Sequence, residues 1–532
     1  MSRKAADTLV RWAVALVATC AGACFSPSIA QELTIGTRSE MTLDPHHFWS
    51  TPNRAYNVQL YGTLVRLDER LQAQPMLAES WKLVDDTTWE FKIDAHARFH
   101  NSQPVTADDV VASFERARDL PNAAASYRGA IDGIKELGAV NPQTVRFLTK
   151  RPDPALLHQV AQVAIIPREI ARTALQSDFI SGKAAIGAGP YKFVEFQAGN
   201  RLVLTRNEDF AGEKGRWARV TFRTITDDAA RVAALIGGDV DLIDLVPPSF
   251  IARLKSEQRT VVHMGTSDRT MYLIPDVGRD QSPFIRDVGG QPLSKNPLKD
   301  LRVRRAISLA IDRETLVQKV MEGAGQPANQ TVAPGVLGYA EALPALRLDL
   351  AEAKRLLAEA GYPEGFQLTI HCTNDRYIND SRICQSIGQM LSRLGIKMDV
   401  QALPRAVLFP RITNHEGERI SLALLAFGSG TTGDAGGILN NTIHTWDRQR
   451  GFGAWNVGHY SNPELDAAIE SAAATLDASE RGKRQAKAVA VAMEDLAVIP
   501  LFHSNVVVTS KKGLHYRIYA DESTIADAAT MP

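Results

Sequence analysis

A glycine-rich segment is the part of the sequence closest to a cofactor-binding motif. The pattern G-x-G-x-x-G spans Gly428 to Gly433 and directly follows the apolar run 420–427, which we predict to be a β-strand. In a dinucleotide site, such glycines let a pyrophosphate approach a helix N-terminus. Here the next residue is Asp434, whose carboxylate would lie where the negative charge of the phosphates belongs. The sequence therefore argues against a nucleotide cofactor at this loop.

Other patterns for catalysis or metal binding are missing from the sequence. It has no H-E-x-x-H zinc motif, no G-x-x-x-x-G-K-[ST] phosphate loop and no G-x-S-x-G nucleophile motif. His46 and His47 are adjacent, so their rings would not share a helix face. His371 and Cys372 would point to opposite sides of a strand. We therefore expect no enzyme activity, no metal site and no cofactor.

Residues 1–30 carry the features of an export signal. Basic residues precede the apolar stretch 12–20, and small residues follow it. We predict cleavage before Gln31 and a periplasmic protein. In the alternative, Cys20 or Cys24 would be lipidated as in a lipoprotein. A membrane anchor is disfavoured because the apolar stretch is too short to span a bilayer.

Two cysteines, Cys372 and Cys384, lie beyond the predicted signal. The first ends an alternating apolar run, 366–372, which predicts a strand, and the second lies in the first turns of a predicted amphipathic helix. An even pair in an exported chain favours a disulfide. Such a bond would clip together the ends of 373–383 and stabilise the fold by about 3 kcal/mol. Two buried thiols without a bond are the alternative.

Composition and charge exclude some functions and bound the fold. The chain has 532 residues, 45% of them hydrophobic and 23% charged, which is ordinary for a globular protein. A nucleic-acid-binding protein of this size would usually show a basic excess, whereas the formal net charge is +0. We therefore expect no nucleic-acid partner. At this length a single core is improbable, so at least two lobes are expected.

Strands and helices alternate through most of the chain, which predicts an α/β fold. The sequence predicts a hairpin around Asp85, a helix over 108–118 with Thr106 in a capping box, and a strand–helix–strand unit over 220–243. Residues 277–298 are rich in Gly, Pro and charge and show no periodicity. This composition indicates a boundary between two parts of the fold.

Short segments spread over the chain carry a pattern that none of them defines alone. In chain order they are Pro75–Trp81, Trp89–Ile93, Arg98–His100, Val105–Val110, Gly187–Phe193, Gly238–Ile243, Asp300–Asp312 and Ala353–Pro363. The ordered set resembles the extracytoplasmic solute-binding proteins, family 5, of bacterial ABC importers. This class includes the dipeptide- and oligopeptide-binding proteins, and the resemblance covers nearly all of the chain beyond the predicted signal.

The resemblance implies an α/β fold of the two-lobed periplasmic-binding-protein type II, in which the lobes close over a ligand. Lobe I would hold residues 31–275 and 500–532. Within it, 76–185 would form the extra subdomain of the larger members. Lobe II would hold 276–499, and two chain crossings would form the hinge. The boundary at 277–298 agrees with this division independently.

A peptide ligand presents an ammonium group and a carboxylate, so a dry cleft has to supply both opposite charges. In dipeptide-binding members, an Asp after a lobe II strand holds the amine, and an Arg followed by Tyr holds the carboxylate. By this resemblance, Asp434 would take the amine and Arg376, beside Tyr377, the carboxylate. In the alternatives, Arg376 is a loop cation paired with Asp375 or Asp380, and Asp434 is a helix N-cap.

Aromatic side chains are expected to line the cleft and to stack on a ring or a peptide plane. The residues concerned are Trp49, Tyr377, Phe427, Trp446 and Trp455. Each of them has a core or surface position as its alternative.

We therefore predict the substrate-binding component of an ABC importer, a monomer that delivers a short peptide or peptide-like solute to permease subunits in the membrane. In one alternative the solute is an opine or amino-acid conjugate, glutathione, haem, a nickel chelate or an oligosaccharide. His371 and His444 would be the lobe II residues for haem or nickel. An exported hydrolase is the alternative from another class. A sensor or chaperone on the same fold would differ only in its partner.

Overall fold

The computed structural model describes residues 31–415 and 420–531. The predicted export signal, with both lipidation alternatives, lies outside the described residues. The described chain forms a twelve-stranded sheet, a four-stranded sheet and two two-stranded sheets, with helices packed around them. None of the helices in this part of the chain combines the length and hydrophobicity needed to cross a membrane. The predicted α/β class is confirmed.

Strands and helices alternate along the chain. The strands are β1 (Glu32–Thr37), β2 (Val65–Leu67), β3 (Ala73–Pro75), β4 (Ala78–Asp85), β5 (Thr88–Ile93), β6 (Ile134–Asn141), β7 (Thr144–Thr149), β8 (Tyr191–Gln197), β9 (Arg201–Arg206), β10 (Arg219–Thr224), β11 (Leu242–Ile243), β12 (Thr260–Pro275), β13 (Ile285–Arg286), β14 (Gly325–Pro327), β15 (Gln367–Thr373), β16 (Lys397–Leu403), β17 (Leu422–Phe427), β18 (Ile499–Lys511), β19 (His515–Tyr516) and β20 (Ala529–Thr530).

The helices cover both faces of the large sheet and one face of the four-stranded sheet. They are α1 (Thr51–Leu60), α2 (Ala107–Asp119), α3 (Arg128–Ile131), α4 (Leu156–Val160), α5 (Arg168–Thr173), α6 (Gln176–Ile180), α7 (Asp228–Gly237), α8 (Pro248–Ser256), α9 (Leu301–Ala310), α10 (Arg313–Thr315), α11 (Leu350–Glu359), α12 (Asp380–Leu391), α13 (Arg405–Thr413), α14 (Gly436–Ile438), α15 (Pro463–Ala473) and α16 (Ala478–Glu494).

The long antiparallel strands β12 and β18 join two lobes. Their pairing is interrupted between Thr266 and Thr270. Before this break Val262 and Met264 of β12 pack against a core formed with β11, α7 and α8, next to the core of β1 and β10, and we call this side lobe I. After the break Met271 and Leu273 pack in another core, beside β15 and β17, and we call this side lobe II. β18 crosses back between Phe502 and Val506.

These crossings lie a few residues from the boundaries that the sequence suggested at 275 and 500. β12 and β18 each continue from one lobe into the other. Residues on both sides of the crossing have the composition of a strand, so the sequence does not mark where the packing changes. The Gly- and Pro-rich stretch 277–298 lies wholly within lobe II, where β13 pairs with β15. It follows the crossing on β12 by several residues.

The predicted extra subdomain in lobe I is confirmed as a separate sheet with its own core. The strand order is β4-β5-β7-β6, and α2 packs on one face. The predicted capping box begins α2, because the Thr106 backbone N–H donates to Asp109 Oδ2 over 2.9 Å. The hydrophobic core of the subdomain includes residues from Leu64 to Ala188, a range somewhat wider than the expected 76–185.

The motif segment that begins at Gly187 holds the C-terminal end of α1 in place. The Gly189 backbone N–H donates to the Leu60 carbonyl over 3.1 Å. A Cβ on Gly189 would lie 2.5 Å from the carbonyl oxygen of Gln59, which is closer than real contacts allow. Only glycine therefore permits this backbone contact, which fixes the direction of α1.

We predict that Gly189→Ala lowers the free energy of unfolding by about 1–3 kcal/mol, because the new methyl group has to displace the backbone of α1. Urea unfolding followed by circular dichroism measures the change. Gly138→Ala on β6 is the matched control, since a Cβ there meets nothing within 4 Å. Indistinguishable midpoints for the two variants would contradict the close contact.

Candidate functional site

A cavity of about 1660 Å³ lies between the two lobes. Lobe I contributes the start of α1 and the segment 124–133, lobe II contributes the loops after β15 and β17, and the break in β12 contributes Asp268 and Arg269. The lobes also touch across the cavity, because the Arg151 guanidinium lies 4.7 Å from the ring centroid of Phe452. A cavity of this size holds a solute of several residues.

The loop after β15 is held in place by a disulfide and by a carboxylate. Cys372 and Cys384 are bonded, which confirms the predicted disulfide between β15 and α12, and both are fully buried. Within the clipped segment, Asp380 Oδ2 accepts hydrogen bonds from the backbone N–H groups of Arg376 and Tyr377, each over 3.2 Å. This loop therefore presents its side chains from a fixed backbone.

Arg376 lines the cavity, and the carboxylate of Glu522, which is bound to Arg269, acts on its charge from beyond ion-pair distance. Arg376 lies 5.1 Å from the ring centroid of Tyr377 and forms no ion pair with any residue that the structure describes. The two alternative partners are engaged elsewhere: Asp375 accepts from the Arg405 backbone N–H over 2.7 Å, and Asp380 holds the loop. Desolvation by the cavity walls, and then the charge of Arg269, lowers the Arg376 pKa. The guanidinium nevertheless stays protonated.

Tyr377 connects the loop that contains Arg376 to the end of β17 by hydrogen bonds. Its hydroxyl donates to the Ala426 carbonyl over 3.4 Å and accepts from the Ala426 backbone N–H over 3.2 Å. The ring lines the cavity beneath the guanidinium. β15 and β17 are parallel neighbours, so their carboxyl ends lie at the same edge of the sheet. The loop with Tyr377, after β15, is therefore next to Ala426 at the end of β17.

Asp434 lines the cavity but already has a cationic partner. Its Oδ2 accepts from Arg481 Nε over 2.8 Å, and its Oδ1 accepts from the Gly436 backbone N–H over 2.8 Å. The second bond joins Asp434 to the first residue of α14, whose N-cap position is held by Ala435. A ligand amine would therefore join an existing ion pair, and the contact between Asp434 and a ligand stays a prediction.

The surroundings of Asp434 are rich in hydrogen-bond acceptors. Among the described residues, the buried oxygens Gln159 Oε1, Asn440 Oδ1 and Gln485 Oε1 have no donor. Asp153 of lobe I also lines this end of the cavity, and burial together with the charge of Asp434 raises its pKa. Acceptors here lack donors, so this end suits a group that carries several N–H bonds.

The sequence did not reveal the residues that surround Asp434. They come from three separate regions: the segment before α4 with α4 itself, the residues after α14, and α16. No spacing in the chain links them. The only available signal was that each is a polar residue in or beside an otherwise apolar stretch, which is too common to single out a site.

The predicted aromatic residues divide into two groups. Trp49 lines the cavity, and its Nε1–H donates to Gln162 Oε1 over 2.7 Å; Phe427 and Trp455 line it as well. Trp446 is not among the described residues that line this cavity, and its contact with a ligand stays a prediction. Its ring is stacked on His415 at a centroid distance of 4.4 Å, so its face is occupied within lobe II.

The histidines considered for haem or nickel also lie away from the cavity. Neither His371 nor His444 is among the described residues that line it. His444 is buried, and its Nε2 lies 3.0 Å from Glu470 Oε1. Among the residues that the structure describes, no group of three or more His, Cys, Asp or Glu side chains could hold a metal ion.

The glycines of the G-x-G-x-x-G pattern serve contacts between parts of the fold. A Cβ on Gly428 would lie 2.7 Å from Asp268 Oδ2, at the break in β12. A Cβ on Gly433, whose φ is +72°, would lie 2.1 Å from His158 Nε2 of lobe I. Bare backbone at both positions lets the loop after β17 approach lobe I and the crossing strand.

Asp268 is a buried carboxyl group at this crossing. Burial raises its pKa to about 7; Arg269 opposes this effect, whereas Glu522 and Asp521 add to it. Arg269 Nε is bound to Glu522 Oε1 over 3.1 Å, so its charge is shared between two carboxyl groups. The break in β12 therefore carries a concentration of charge that responds to pH near neutrality.

A two-lobed α/β fold with a large cavity between the lobes and a clipped cationic loop at its wall is the architecture of a binding protein. The family model described as bacterial extracellular solute-binding proteins, family 5 Middle, matches residues 72–447. The chain belongs to this family, whose members bind solutes for ABC importers and are not enzymes. No bond chemistry is therefore required of the cleft.

Curated relatives and solved structures agree with this assignment. The glutathione-binding protein GsiB of Escherichia coli K12 is 26% identical over 514 residues, which cover 94% of this chain and 93% of the relative. HbpA2 from Haemophilus parasuis has a TM-score of 0.79 at 24% identity, covering 94% of this chain and 100% of that chain. DppA from Helicobacter pylori with the peptide STSA has a TM-score of 0.71 at 21% identity, covering 94% and 98%.

We predict that replacing Cys372 and Cys384 together by Ala lowers the free energy of unfolding by about 2–4 kcal/mol, because the bond restricts the unfolded chain. Urea unfolding with and without dithiothreitol measures the effect. The reductant should destabilise the wild-type protein and leave the double variant unchanged. Equal stability of both proteins under oxidising conditions would contradict a stabilising bond.

We predict that Asp268→Asn makes the protein more stable than wild type at pH 8, by roughly 1 to 3 kcal/mol. Between the ordinary pKa of an aspartate and about 7, the folded state holds a proton that the unfolded state has released. This contribution to stability is therefore lost as the pH rises through that interval. Urea unfolding at pH 5 and pH 8 tests it, with the exposed Asp86→Asn as control; equal pH dependence in all three proteins would contradict it.

Proposed function

We propose that this protein captures a short peptide or peptide-like solute and delivers it, as a monomer, to the permease of an ABC importer. The observation that carries the proposal is Arg376, a protonated guanidinium that lines the interlobe cavity and forms no ion pair with a described residue. A charge held in a partly desolvated wall is costly unless a partner arrives. A ligand carboxylate is such a partner, and Arg binds it through two parallel hydrogen bonds.

The other end of the ligand would be an ammonium group. The carboxylates of Asp434 and Asp153 line this end of the cavity with the oxygens of Asn440 and Gln485, which have no donor among the described residues. An ammonium group brings three N–H bonds and a positive charge to this cluster. Arg481 would keep its bond to Asp434 and hold that carboxylate in position.

The comparisons support a solute of this kind. GsiB is named for glutathione, and the DppA structure from Helicobacter pylori holds a peptide. Both ligands carry an ammonium group and at least one carboxylate. The aromatic rings of Trp49 and Trp455 would then contact the atoms between the charged ends.

We predict that Arg376→Ala weakens binding of a free peptide about 10- to 100-fold, since a charge-assisted hydrogen-bond pair is lost. Isothermal titration of the mature protein with trialanine, Ser-Thr-Ser-Ala and glutathione measures the effect. Arg172→Ala, on the exposed face of α5, is the matched control and should bind as wild type does.

Two further comparisons locate the charged ends. A C-terminally amidated peptide should bind weakly and should not respond to Arg376→Ala. An N-acetylated peptide should not respond to Asp434→Asn. If wild type binds these peptides and Arg376→Ala leaves every affinity unchanged, Arg376 is not the carboxylate partner, and the proposed orientation is wrong.

A further inference from the structure

A second arginine without an anion faces the cavity from lobe I. Arg54 lies in the first turn of α1, is half-buried and lines the cavity. Its Nη2–H donates to Thr51 Oγ1 over 3.1 Å, and its guanidinium carbon lies 5.9 Å from the Trp49 ring centroid. The buried Nε atom has no acceptor among the described residues, and no described residue forms an ion pair with Arg54.

Lys150 and Arg151 of the same wall are engaged by other partners. Lys150 Nζ lies 2.9 Å from Asp132 Oδ2, which gives that carboxylate its own cation. Arg151 lies over the ring of Phe452 in lobe II. Asp132 is therefore paired with Lys150 and not with Arg54, which forms no ion pair with a described residue.

The wall segment 124–133, which lines the same cavity as Arg54, leaves open and polar space. A Cβ on Gly129, in the wall segment 124–133, would meet nothing within 4 Å. Ser50, Thr51 and Ser126 also line this part of the cavity. The start of α1 adds the partial positive charge of a helix N-terminus. An anionic group placed here would meet donors and positive charge in a site that has room for it.

We infer that Arg54, with Trp49 and the start of α1, forms a second anion subsite, and that the transported solute carries two carboxylates. Arg376 of lobe II would bind one and Arg54 of lobe I the other. This inference rests on the proposed function, because it assumes that Arg376 takes a ligand carboxylate. A solute that pairs with an arginine on each lobe stabilises the closed arrangement of the lobes, since either contact is lost when the cleft opens.

Titration calorimetry of Arg54→Gln tests the inference, with Arg172→Ala as the control. The probes are glutathione, which has two carboxylates; its glycine monoethyl ester, which has one; trialanine, which has one; glutarate, a dicarboxylate without peptide bonds; and inorganic phosphate. Arg54→Gln should weaken glutathione binding about tenfold or more and leave trialanine within about twofold. The ester keeps only one carboxylate, so only one arginine can bind it. One of the substitutions Arg54→Gln and Arg376→Ala should therefore still weaken binding of the ester, and the other should leave it unchanged. Circular dichroism confirms that each variant is folded.

The outcomes separate this inference from the proposed function. Binding of glutarate that depends on Arg54, without binding of any peptide, supports the second subsite and contradicts the peptide part of the proposed function. Peptide binding that depends on Arg376 while every dicarboxylate is insensitive to Arg54→Gln overturns the inference alone. Equal weakening of trialanine and glutathione by Arg54→Gln also overturns it. If phosphate binds as tightly as glutathione and this binding depends on Arg54, the site accepts anions in general. That result would overturn the inference that it binds a second carboxylate.

Discussion

The antiparallel pair β12 and β18 runs through both lobes, and the cleft is built around the break in its pairing. Between Thr266 and Thr270 the register shifts, and the packing of β12 changes from one lobe to the other. Strands of both lobes are placed relative to this pair: β17 pairs directly with β12, and β1 reaches β18 through β11. A small change in backbone angles at two strand crossings therefore moves one complete wall against the other.

Charge placement follows from that architecture. The loop with Arg376 leaves the carboxyl end of β15, and the disulfide and Asp380 hold it there. Arg54 stands on α1, whose far end rests on the backbone of Gly189. The acceptors near Asp434 and Asp153 lie where the lobes meet. Fixed cations and acceptors in a partly desolvated cavity select a solute by the positions of its charges more than by its shape.

Local signals in the sequence predicted the parts of the fold that depend on neighbours in the chain. The capping box at Thr106, the Cys372–Cys384 bond and the order of strands and helices are of this kind. Resemblance to a family also directed attention to Arg376 and Tyr377, which the structure places together at the cavity. The partner of Asp434 was not foreseen, because Arg481 lies on a helix far along the chain and only tertiary packing brings the two together.

The same limit explains why the sequence did not reveal the surroundings of Trp446 or the reason for the glycines of the G-x-G-x-x-G loop. An aromatic residue beside a polar loop has no local signal that tells a cavity wall from a stack on His415. The glycines are required by Asp268 and His158, which approach them from distant parts of the chain. Arg54 was overlooked because a single arginine at the start of a helix is common. Only its lack of an ion pair with any described residue, and of an acceptor for its buried Nε, distinguishes it.

Native mass spectrometry of protein purified from the periplasm tests the central claim, that unpaired charges in the cleft select a solute of opposite charge. The wild-type protein should retain a small solute that a denaturing spectrum identifies as carrying an ammonium group and at least one carboxylate. Arg376→Ala should lose it, and Arg172→Ala should keep it. A retained solute without a carboxylate, or one held equally by all three proteins, would contradict the account.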